Sequence, residues 1–213
     1  MNVHTNMLLS NRLQPKEIRQ ILLIGNSPSV LNNNFGNIID SGKFIVCRFN
    51  FQPTDNFEDF IGSKTDYRII NGRTCKEYLT KKRKHLPAGK ILVAEPTLGH
   101  SKSHHYYITQ WYHSCKNDKE REKRWGNMKV LRNSYKKDIR KNFFPSSGII
   151  SICHFLKYYP KIYIYGFSFN KEHFWHKNPE ESKHHDYKIE KDFVDKMKKQ
   201  GRIIELTSQE CKI

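Results

Sequence analysis

The feature that most constrains the fold of this chain is a compact apolar run, Gln20–Ile24, that ends in the turn Gly25-Asn26-Ser27. Such a run, followed by glycine and short polar side chains, is typical of a buried strand that turns into a helix. A second run, Lys43–Arg48, follows after about the length of one helix. This spacing predicts a strand, helix, strand unit with parallel pairing, and hence an α/β fold.

Later runs extend this pattern into a single Rossmann-like domain over residues 1–213, with a mostly parallel central sheet flanked by helices. Helical spacing of apolar residues begins after Ser146, ends before Pro160, and appears again over His185–Lys199. We expect a basic helix around Lys76–Lys84. The further strand candidates are Asp66–Ile70, Lys90–Pro96, Lys161–Phe167 and Arg202–Thr207.

Two stretches stand apart from this alternation. Residues 1–19 form an N-terminal extension of mixed polar and charged residues. Residues 100–142 mix His, Tyr and Trp with many Lys and Arg, and their apolar periodicity is weak. We interpret 100–142 as a basic insertion of one or two amphipathic helices joined by loops.

The charge of the chain restricts its partners. The 213 residues carry a formal net charge of +17, which favours anionic partners. Nucleotides, acidic glycans, lipid headgroups and nucleic acid all remain open at this point, as does a surface of solvated lysines. The densest basic stretches, Lys81-Lys82-Arg83-Lys84 and residues 116–141, suit an acidic glycolipid or an anionic membrane surface.

The cysteines indicate a reducing compartment, because the five are an odd number, widely spaced and without a C-x-x-C pair. Residues 1–20 offer no apolar signal core, and no 18-residue apolar run occurs anywhere. We therefore expect no membrane span and a cytoplasmic location, with peripheral contact at the inner membrane face left open.

Two turns of the same physical type are candidate anion sites: Gly25-Asn26-Ser27, and Ser146-Ser147-Gly148 before the later helix. Each combines small residues with the unpaired N–H groups of a helix start, which favour a phosphate or a carboxylate. Both would face the carboxyl edge of the sheet, where Arg48 and Asn50 also fall. Taken singly, such a segment is more often an ordinary turn or helix cap.

Histidines cluster late in the chain, in His173-Phe174-Trp175-His176 and in His184-His185, with Glu190 after them. No H-E-x-x-H motif occurs and no cysteine joins the histidines, so we expect no metal site. Histidine is the side chain best matched to proton transfer near neutral pH. The cluster predicts that chemistry, with a solvated His-rich loop as the alternative.

In chain order, these segments resemble the animal-type sialyltransferase family. The segments are GNS, IIDSGKFIVCRFNFQPT with IGSKTDYR, FPSSGIISICHFLKYYPKIYIYGFSF, HFW and HDYKIE. They match the large, small, third and very small sialylmotifs of that family, over residues 20–72 and 143–195. The likeness identifies a short member of bacterial or viral type, and the GN-x-PS turn is also similar to bacterial lipooligosaccharide sialyltransferases.

The resemblance implies a glycosyltransferase that moves a sialic acid from CMP-sialic acid to a glycan or glycolipid hydroxyl. It implies direct displacement with inversion, no metal, and no cofactor beyond the CMP-sugar donor. Residues 100–142 would then lie near the acceptor site.

The resemblance also implies roles for individual residues. His173 would touch the departing phosphate, and His185 would be the base. Glu190 would support the helix that follows His185, and Arg48 would be a further supporting residue. The residues that would bind the donor are Gly25, Asn26, Ser27, Asn50, Ser146, Ser147, Gly148 and Trp175.

The chain departs from the secretory members of that family, which carry a bridged cysteine pair in the large and small motifs. The matching segments RQILLIGNS and HFLKYYPKI contain no cysteine, so the oxidised setting of those members is not implied here. Two alternatives stay open. One is transfer of another CMP-activated ulosonic acid such as Kdo, and the other is a basic nucleic-acid-binding protein with interleaved Tyr, Trp and Lys.

Overall fold

The computed structural model describes residues 19–80, 89–94, 145–169, 172–175 and 185–208. The strands within these ranges are β1 (Gln20–Ile24), β2 (Phe44–Phe49), β3 (Tyr67–Ile70), β4 (Lys90–Val93), β5 (Ile162–Tyr165) and β6 (Ile203–Glu205). These six form one parallel sheet in the order β4-β3-β2-β1-β5-β6. The helices are a 3₁₀ helix (Pro28–Asn32), α1 (Gly36–Asp40), α2 (Glu58–Ile61), α3 (Gly72–Leu79), α4 (Ser147–Phe155) and α5 (Tyr187–Lys199).

Helices cover both faces of the sheet, which explains why its strands are apolar throughout. On one face, Leu23 and Ile164 pack with α4 and with Val194 of α5. On the other face, Leu22 and Tyr165 pack with the 3₁₀ helix, α1 and α2. The result is a three-layer α/β/α domain whose strands alternate between two cores.

The predicted α/β fold is confirmed, and all six predicted strands are present: β1 has the predicted ends, and the ends of the other five are shifted by at most three residues. The last two residues of the predicted Lys90–Pro96 strand lie outside the described residues. The single helix expected after β1 is instead a 3₁₀ helix followed by the five-residue α1.

Two predicted helix starts were wrong, and side-chain caps explain both. The basic helix begins at Gly72 because the Asn71 side chain accepts the N–H of Thr74 at 3.0 Å. Its predicted end lies beyond the described residues. The last helix begins at Tyr187 because Asp186 caps it, accepting the N–H of Ile189 at 3.1 Å. His185 therefore lies just before the helix.

The sheet order reverses between β1 and β5. The chain runs from β1 outward through β2, β3 and β4, and then returns to β5 on the other side of β1. Ligands of open α/β sheets bind in the crevice at the carboxyl ends of the strands where the order reverses. The fold thus marks the turns after β1 and β5 as the place to examine.

Residues 1–18 of the predicted extension and the whole basic stretch 100–142 fall outside the described residues, as do His176 and His184. Within the described ranges, no helix combines the length and the apolar character needed to cross a membrane.

Candidate active site

The turns after β1 and β5 are in direct contact. The N–H of Gly25 donates to the carbonyl of Tyr165 at 2.7 Å, and the N–H of Ser27 donates to that of Gly166 at 3.1 Å. A Cβ at Gly25 would lie 2.2 Å from the Gly166 carbonyl oxygen. Glycine is therefore required at position 25, because any side chain would push the two turns apart.

Asn26 and Ser27 shape the turn after β1. The Ser27 hydroxyl oxygen caps the 3₁₀ helix by accepting the N–H of Ser29 at 3.2 Å. The Asn26 carbonyl accepts the N–H of Phe174 at 2.9 Å, which fastens residues 172–175 to this turn. The Asn26 side-chain oxygen is buried and has no hydrogen-bond partner among the described residues. It is an acceptor that a ligand can satisfy.

Phe167 joins the first turn to the start of α4. Its ring lies 2.9 Å from where a Cβ of Gly25 would stand and 3.0 Å from where a Cβ of Gly148 would stand. The ring also meets that of Phe49, at the end of β2, edge to face with centroids 6.0 Å apart. The two turns predicted to face one edge of the sheet thus lie together, on either side of one aromatic ring.

The start of α4 is tied to α5 through Ser146. Its hydroxyl oxygen accepts the N–H of Ile149 at 3.3 Å and so caps α4. The same hydroxyl donates to Oε2 of Glu190 at 2.8 Å, while the backbone N–H of Ser146 donates to Oε1 at 2.7 Å. Ser147 and Gly148 follow, half-buried, as the first helical residues. Their N–H groups have no acceptor within the helix.

Glu190 is 2% exposed. Burial raises its pKa to about 7, although both hydrogen bonds from Ser146 favour the ionised form. A carboxyl group with this pKa exchanges its proton near neutral pH. Glu190 is therefore a titratable group that is bonded directly to the α4 start.

His185 lies just before α5, the helix that carries Glu190. It directly precedes Asp186, whose carbonyl accepts the N–H of Glu190 at 3.1 Å. One helical turn, roughly 5 Å, therefore separates the backbone next to His185 from the residue bonded to Ser146. The imidazole is half-buried and its centroid lies 5.9 Å from that of Tyr187. His185 thus lies just before the helix turn that holds the α4 start through Glu190.

His173 and Trp175 lie on the segment fastened to Asn26. The exposed His173 ring stacks on Trp175, with centroids 4.8 Å apart and planes 23° apart. Phe174 anchors the segment by packing on Phe57 at a centroid distance of 4.7 Å. The imidazole is thereby presented at the surface beside the first turn.

Asn50 ends β2 in the left-handed region, with a φ of 45°. Its side-chain oxygen accepts the hydroxyl of Thr74 at 2.8 Å and the N–H of Asn71 at 3.3 Å. Because Asn71 and Thr74 already donate to this oxygen, the side chain would contact a ligand through its amide N–H groups. Asn50 therefore joins the residues after β2 to the start of α3.

Arg48 is fully buried and lies away from the crevice. Its guanidinium donates to the carbonyls of Ile61, Gly62 and Lys64 at 2.6, 2.9 and 3.0 Å. Burial, followed by repulsion from Arg68, lowers its pKa to about 9. Arg48 organises the loop between α2 and β3 and does not present its charge to a ligand.

Two residues that matter here were missed at the sequence level. Gln52, 2% exposed, donates its side-chain N–H groups to the carbonyls of Ile24 at 3.2 Å and Gly25 at 2.6 Å, bracing the first turn from β2. Phe167 is the ring between the turns. The signals were present, as a glutamine before a proline in NFQPT and a glycine–aromatic pair in YGFSF.

In the part of the chain that the structure describes, no group of three or more His, Cys, Asp or Glu side chains is arranged to hold a metal ion. The described cysteines, Cys47, Cys75 and Cys153, are buried. Burial raises the pKa of the Cys47 thiol far above its ordinary value, so this group stays protonated.

Comparison with known proteins places this arrangement in context. Residues 1–202 match the model of glycosyltransferase family 29 (sialyltransferase). A beta-galactoside alpha-2,6-sialyltransferase 2 from Xenopus tropicalis is 31% identical over 104 residues, which are 48% of this chain and 19% of the frog protein. A human CMP-N-acetylneuraminate-beta-galactosamide-alpha-2,3-sialyltransferase 1 is 26% identical over 176 residues, covering 76% of this chain and 49% of the human protein.

A crystal structure of a mammalian sialyltransferase in complex with Gal-beta-1-3GalNAc-ortho-nitrophenol has the same fold. It superposes with a TM-score of 0.61 at 19% identity, covering 88% of this chain and 69% of the mammalian one. The chain spans about half the length of the curated relatives or less.

Proposed function

Because the chain belongs to glycosyltransferase family 29, the sialyltransferases, we propose that it moves a sialic acid from CMP-sialic acid onto a hydroxyl group of a glycan or glycolipid acceptor. The observation that carries the proposal is the meeting of the two anion-favouring turns on either side of Phe167, with Ser146 tied by Glu190 to the helix that follows His185. A nucleotide sugar needs anion contacts at its phosphate and an acid–base group at its anomeric carbon, and the two turns and His185 would supply them.

The CMP part of the donor would bind between the turn after β1 and the start of α4. The N–H groups of Ser147 and Gly148 favour the phosphate or the sialyl carboxylate. The partnerless oxygen of Asn26 would accept a hydrogen bond from a ribose hydroxyl or from the cytosine amino group. Asn50 would donate from its amide, while Gly25 and Ser27 keep the turn close to the ligand.

The transfer step would be a direct displacement with inversion at the anomeric carbon. An acceptor hydroxyl oxygen forms the new bond to that carbon as the bond from the carbon to the CMP phosphate oxygen breaks. The hydroxyl proton passes to His185, and CMP leaves with the bonding electron pair. His173, exposed beside the first turn, would stabilise the charge on the departing phosphate, with Trp175 stacked behind it.

We propose that the reaction needs no metal ion, since His173 and the α4 N–H groups can meet the phosphate charge in place of one. Peripheral membrane contact, predicted from residues 81–84 and 116–141, concerns stretches outside the described residues and stays a prediction. The same holds for an acceptor role of residues 100–142.

The test is release of CMP from a panel of CMP-activated ulosonic acids, with and without EDTA and with lactose-type acceptors. We expect turnover of CMP-sialic acid that is unchanged by EDTA and lost when Asn26 is replaced by Ala. Turnover of CMP-Kdo without turnover of CMP-sialic acid would show that the transferred sugar is Kdo. Activity that is lost in EDTA and restored by Mn²⁺ would overturn the metal-free chemistry. Tight, salt-sensitive oligonucleotide binding without any turnover would instead favour the nucleic-acid alternative.

A further inference from the structure

The first amide groups of α4 are divided between the fold and a ligand. The N–H of Ser146 is taken by Oε1 of Glu190 at 2.7 Å, and the N–H of Ile149 is taken by the Ser146 hydroxyl oxygen at 3.3 Å. The N–H groups of Ser147 and Gly148 lie between them and have no acceptor within the helix. An anion held by these two groups would be the immediate neighbour of the Glu190 carboxylate.

An ionised Glu190 opposes an anion at this position. Like charges a few ångströms apart repel, and the repulsion grows where water is excluded. Glu190 is 2% exposed, so solvent screens little of this effect. Burial has already raised its pKa to about 7, so a modest change in its surroundings alters its protonation near neutral pH. A second negative charge favours the neutral carboxyl group, and anion binding and proton uptake therefore support each other.

The Ser146 hydroxyl couples the same two events through its hydrogen bonds. A serine hydroxyl has one hydrogen to donate and two lone pairs that accept. In the structure its hydrogen goes to Oε2 of Glu190 at 2.8 Å, and one lone pair accepts the N–H of Ile149. A protonated Glu190 would instead donate to the second lone pair, which frees the serine hydrogen to turn to a ligand. Proton uptake thus removes a negative charge and adds a hydrogen-bond donor.

Other titratable groups surround Glu190. On its own side, His185 and Asp186 precede it, and the charge of Asp186 adds to the rise of its pKa. Elements packed on α5 or beside its start carry further titratable groups: Cys153 and His154 near the far end of α4, Glu205 of β6, and Glu172 and His173 of the segment beside the first turn. Histidines also titrate near neutral pH, so the experiment has to separate their protons from that of Glu190.

We propose that Glu190 takes up a proton from solvent when the anionic donor binds at the α4 start, and that it thereby releases the Ser146 hydroxyl to the donor. Glu190 is then a positioning residue that makes donor affinity depend on pH. The inference rests on the proposed function, because the anion is taken to be the phosphate or the sialyl carboxylate of CMP-sialic acid. Affinity is highest while Glu190 is neutral and falls as pH rises above neutrality.

The experiment is calorimetric titration of the full chain and of Glu190→Gln with the 3-fluoro derivative of CMP-sialic acid. The fluorine slows loss of CMP, and the phosphodiester and carboxyl groups of this ligand do not titrate near neutral pH. Glutamine resembles the protonated side chain, because it is neutral and can donate to the Ser146 oxygen. The two proteins should bind equally at pH 6, and at pH 9 the variant should bind about tenfold more tightly, as one pKa unit of coupling implies.

A proton count provides a second measurement that does not depend on the variant. At pH 7.5, titrations in buffers of different ionisation enthalpy should show that the unchanged chain takes up about half a proton for Glu190. Any histidine contribution is common to both proteins, and it is measured in Glu190→Gln and subtracted. No proton uptake by the unchanged chain at this pH would overturn the inference, whether or not the variant folds.

Two control variants test the steps separately. Adding Ser146→Ala to Glu190→Gln should remove part of the gain at pH 9, because the freed hydroxyl is then missing. Asp195→Asn removes an exposed charge from the same helix and should bind like the unchanged chain at both pH values. Equal affinity of Glu190→Gln and the unchanged chain at pH 9, or an equal gain in Asp195→Asn, would overturn the inference and leave the donor assignment standing. If neither protein binds the ligand at any pH, the donor assignment fails and the inference fails with it.

Discussion

Ser146 and Glu190 are joined by two hydrogen bonds, in which the glutamate accepts the backbone N–H of Ser146 at 2.7 Å and its hydroxyl at 2.8 Å. The pair connects the start of α4, where a phosphate or carboxylate would bind, to the first turn of α5, which follows His185. A movement of either helix end is therefore transmitted to the other. The proposed base, His185, and the proposed anion site are therefore linked through this pair.

The titration of Glu190 should make stability depend on pH. Its pKa is raised by burial from the ordinary 4.5 to about 7, so the folded chain holds this proton more tightly than the unfolded chain. The resulting stabilisation is fully present below about pH 4.5 and is lost as pH rises through about 7, by about 3 kcal/mol in total. Urea unfolding across this range should show that slope, and Glu190→Gln should remove it.

Glutamine suits this test because it keeps the shape and can still pair with both groups of Ser146, so the fold is retained. The control is Asp195→Asn, at a surface carboxylate paired with Lys191. It should leave the slope between pH 4.5 and 7 intact. An unchanged slope in Glu190→Gln would assign the pH dependence to another group.

A methyl group at Gly25 should separate the turns after β1 and β5. Because the new Cβ would lie 2.2 Å from the Gly166 oxygen, Gly25→Ala forces backbone to move and should cost about 1–3 kcal/mol of stability. CMP should no longer raise the melting temperature of this variant. Gly201→Ala is the control, because its φ of 68° imposes strain but no atom lies within 4 Å of the added carbon. It should lose stability while still responding to CMP, and an equal loss of that response would contradict the role of Gly25.

The fold was predictable because its signals are local. A buried apolar run followed by glycine and a cap residue marked β1, and further apolar runs marked β2 and β5. The start of α5 was predicted two residues too early. Asp186 caps the helix, so the residue before it, His185, lies outside the helix. Burial of Arg48 could not be anticipated, because a charged side chain inside a strand is stabilised by carbonyls of a later loop.

The assembly of the site was less predictable than the fold. Roles for Asn26 and His185 came from resemblance to a family, and the residues alone left ordinary turns and a solvated loop as alternatives. The contacts that bring the site together depend on β5 lying beside β1, far apart in sequence, so Gly25 against Gly166 follows only from the sheet order. Whether the donor residues act as implied stays a prediction.

Gln52 should prove to be a positioning residue for the first turn. Replacing it by Met keeps the volume but leaves the carbonyls of Ile24 and Gly25 without their buried donor, at a cost of about 1–3 kcal/mol. Urea unfolding should show this loss, and the concentration of CMP needed to raise the melting temperature should increase. Gln200→Met, on an exposed helix end, is the control and should change neither. Wild-type behaviour of Gln52→Met would show that the turn is held without it.

Replacing His185 and replacing His173 should change different kinetic and binding parameters. His185 is assigned to the acceptor proton, and a positioned general base typically contributes about 10²–10⁴-fold in rate. His185→Ala should therefore lower kcat by at least about 10²-fold while CMP binding stays nearly unchanged, because the carboxylate bonded to Ser146 still holds the α4 start. His173→Ala should weaken both turnover and CMP binding, because this ring is assigned to the phosphate. His184→Ala, one residue away in the sequence, is the control and should remain active. If His184→Ala is inactive and His185→Ala turns over normally, the base is His184, and if both variants keep normal turnover, the proposed transfer mechanism fails.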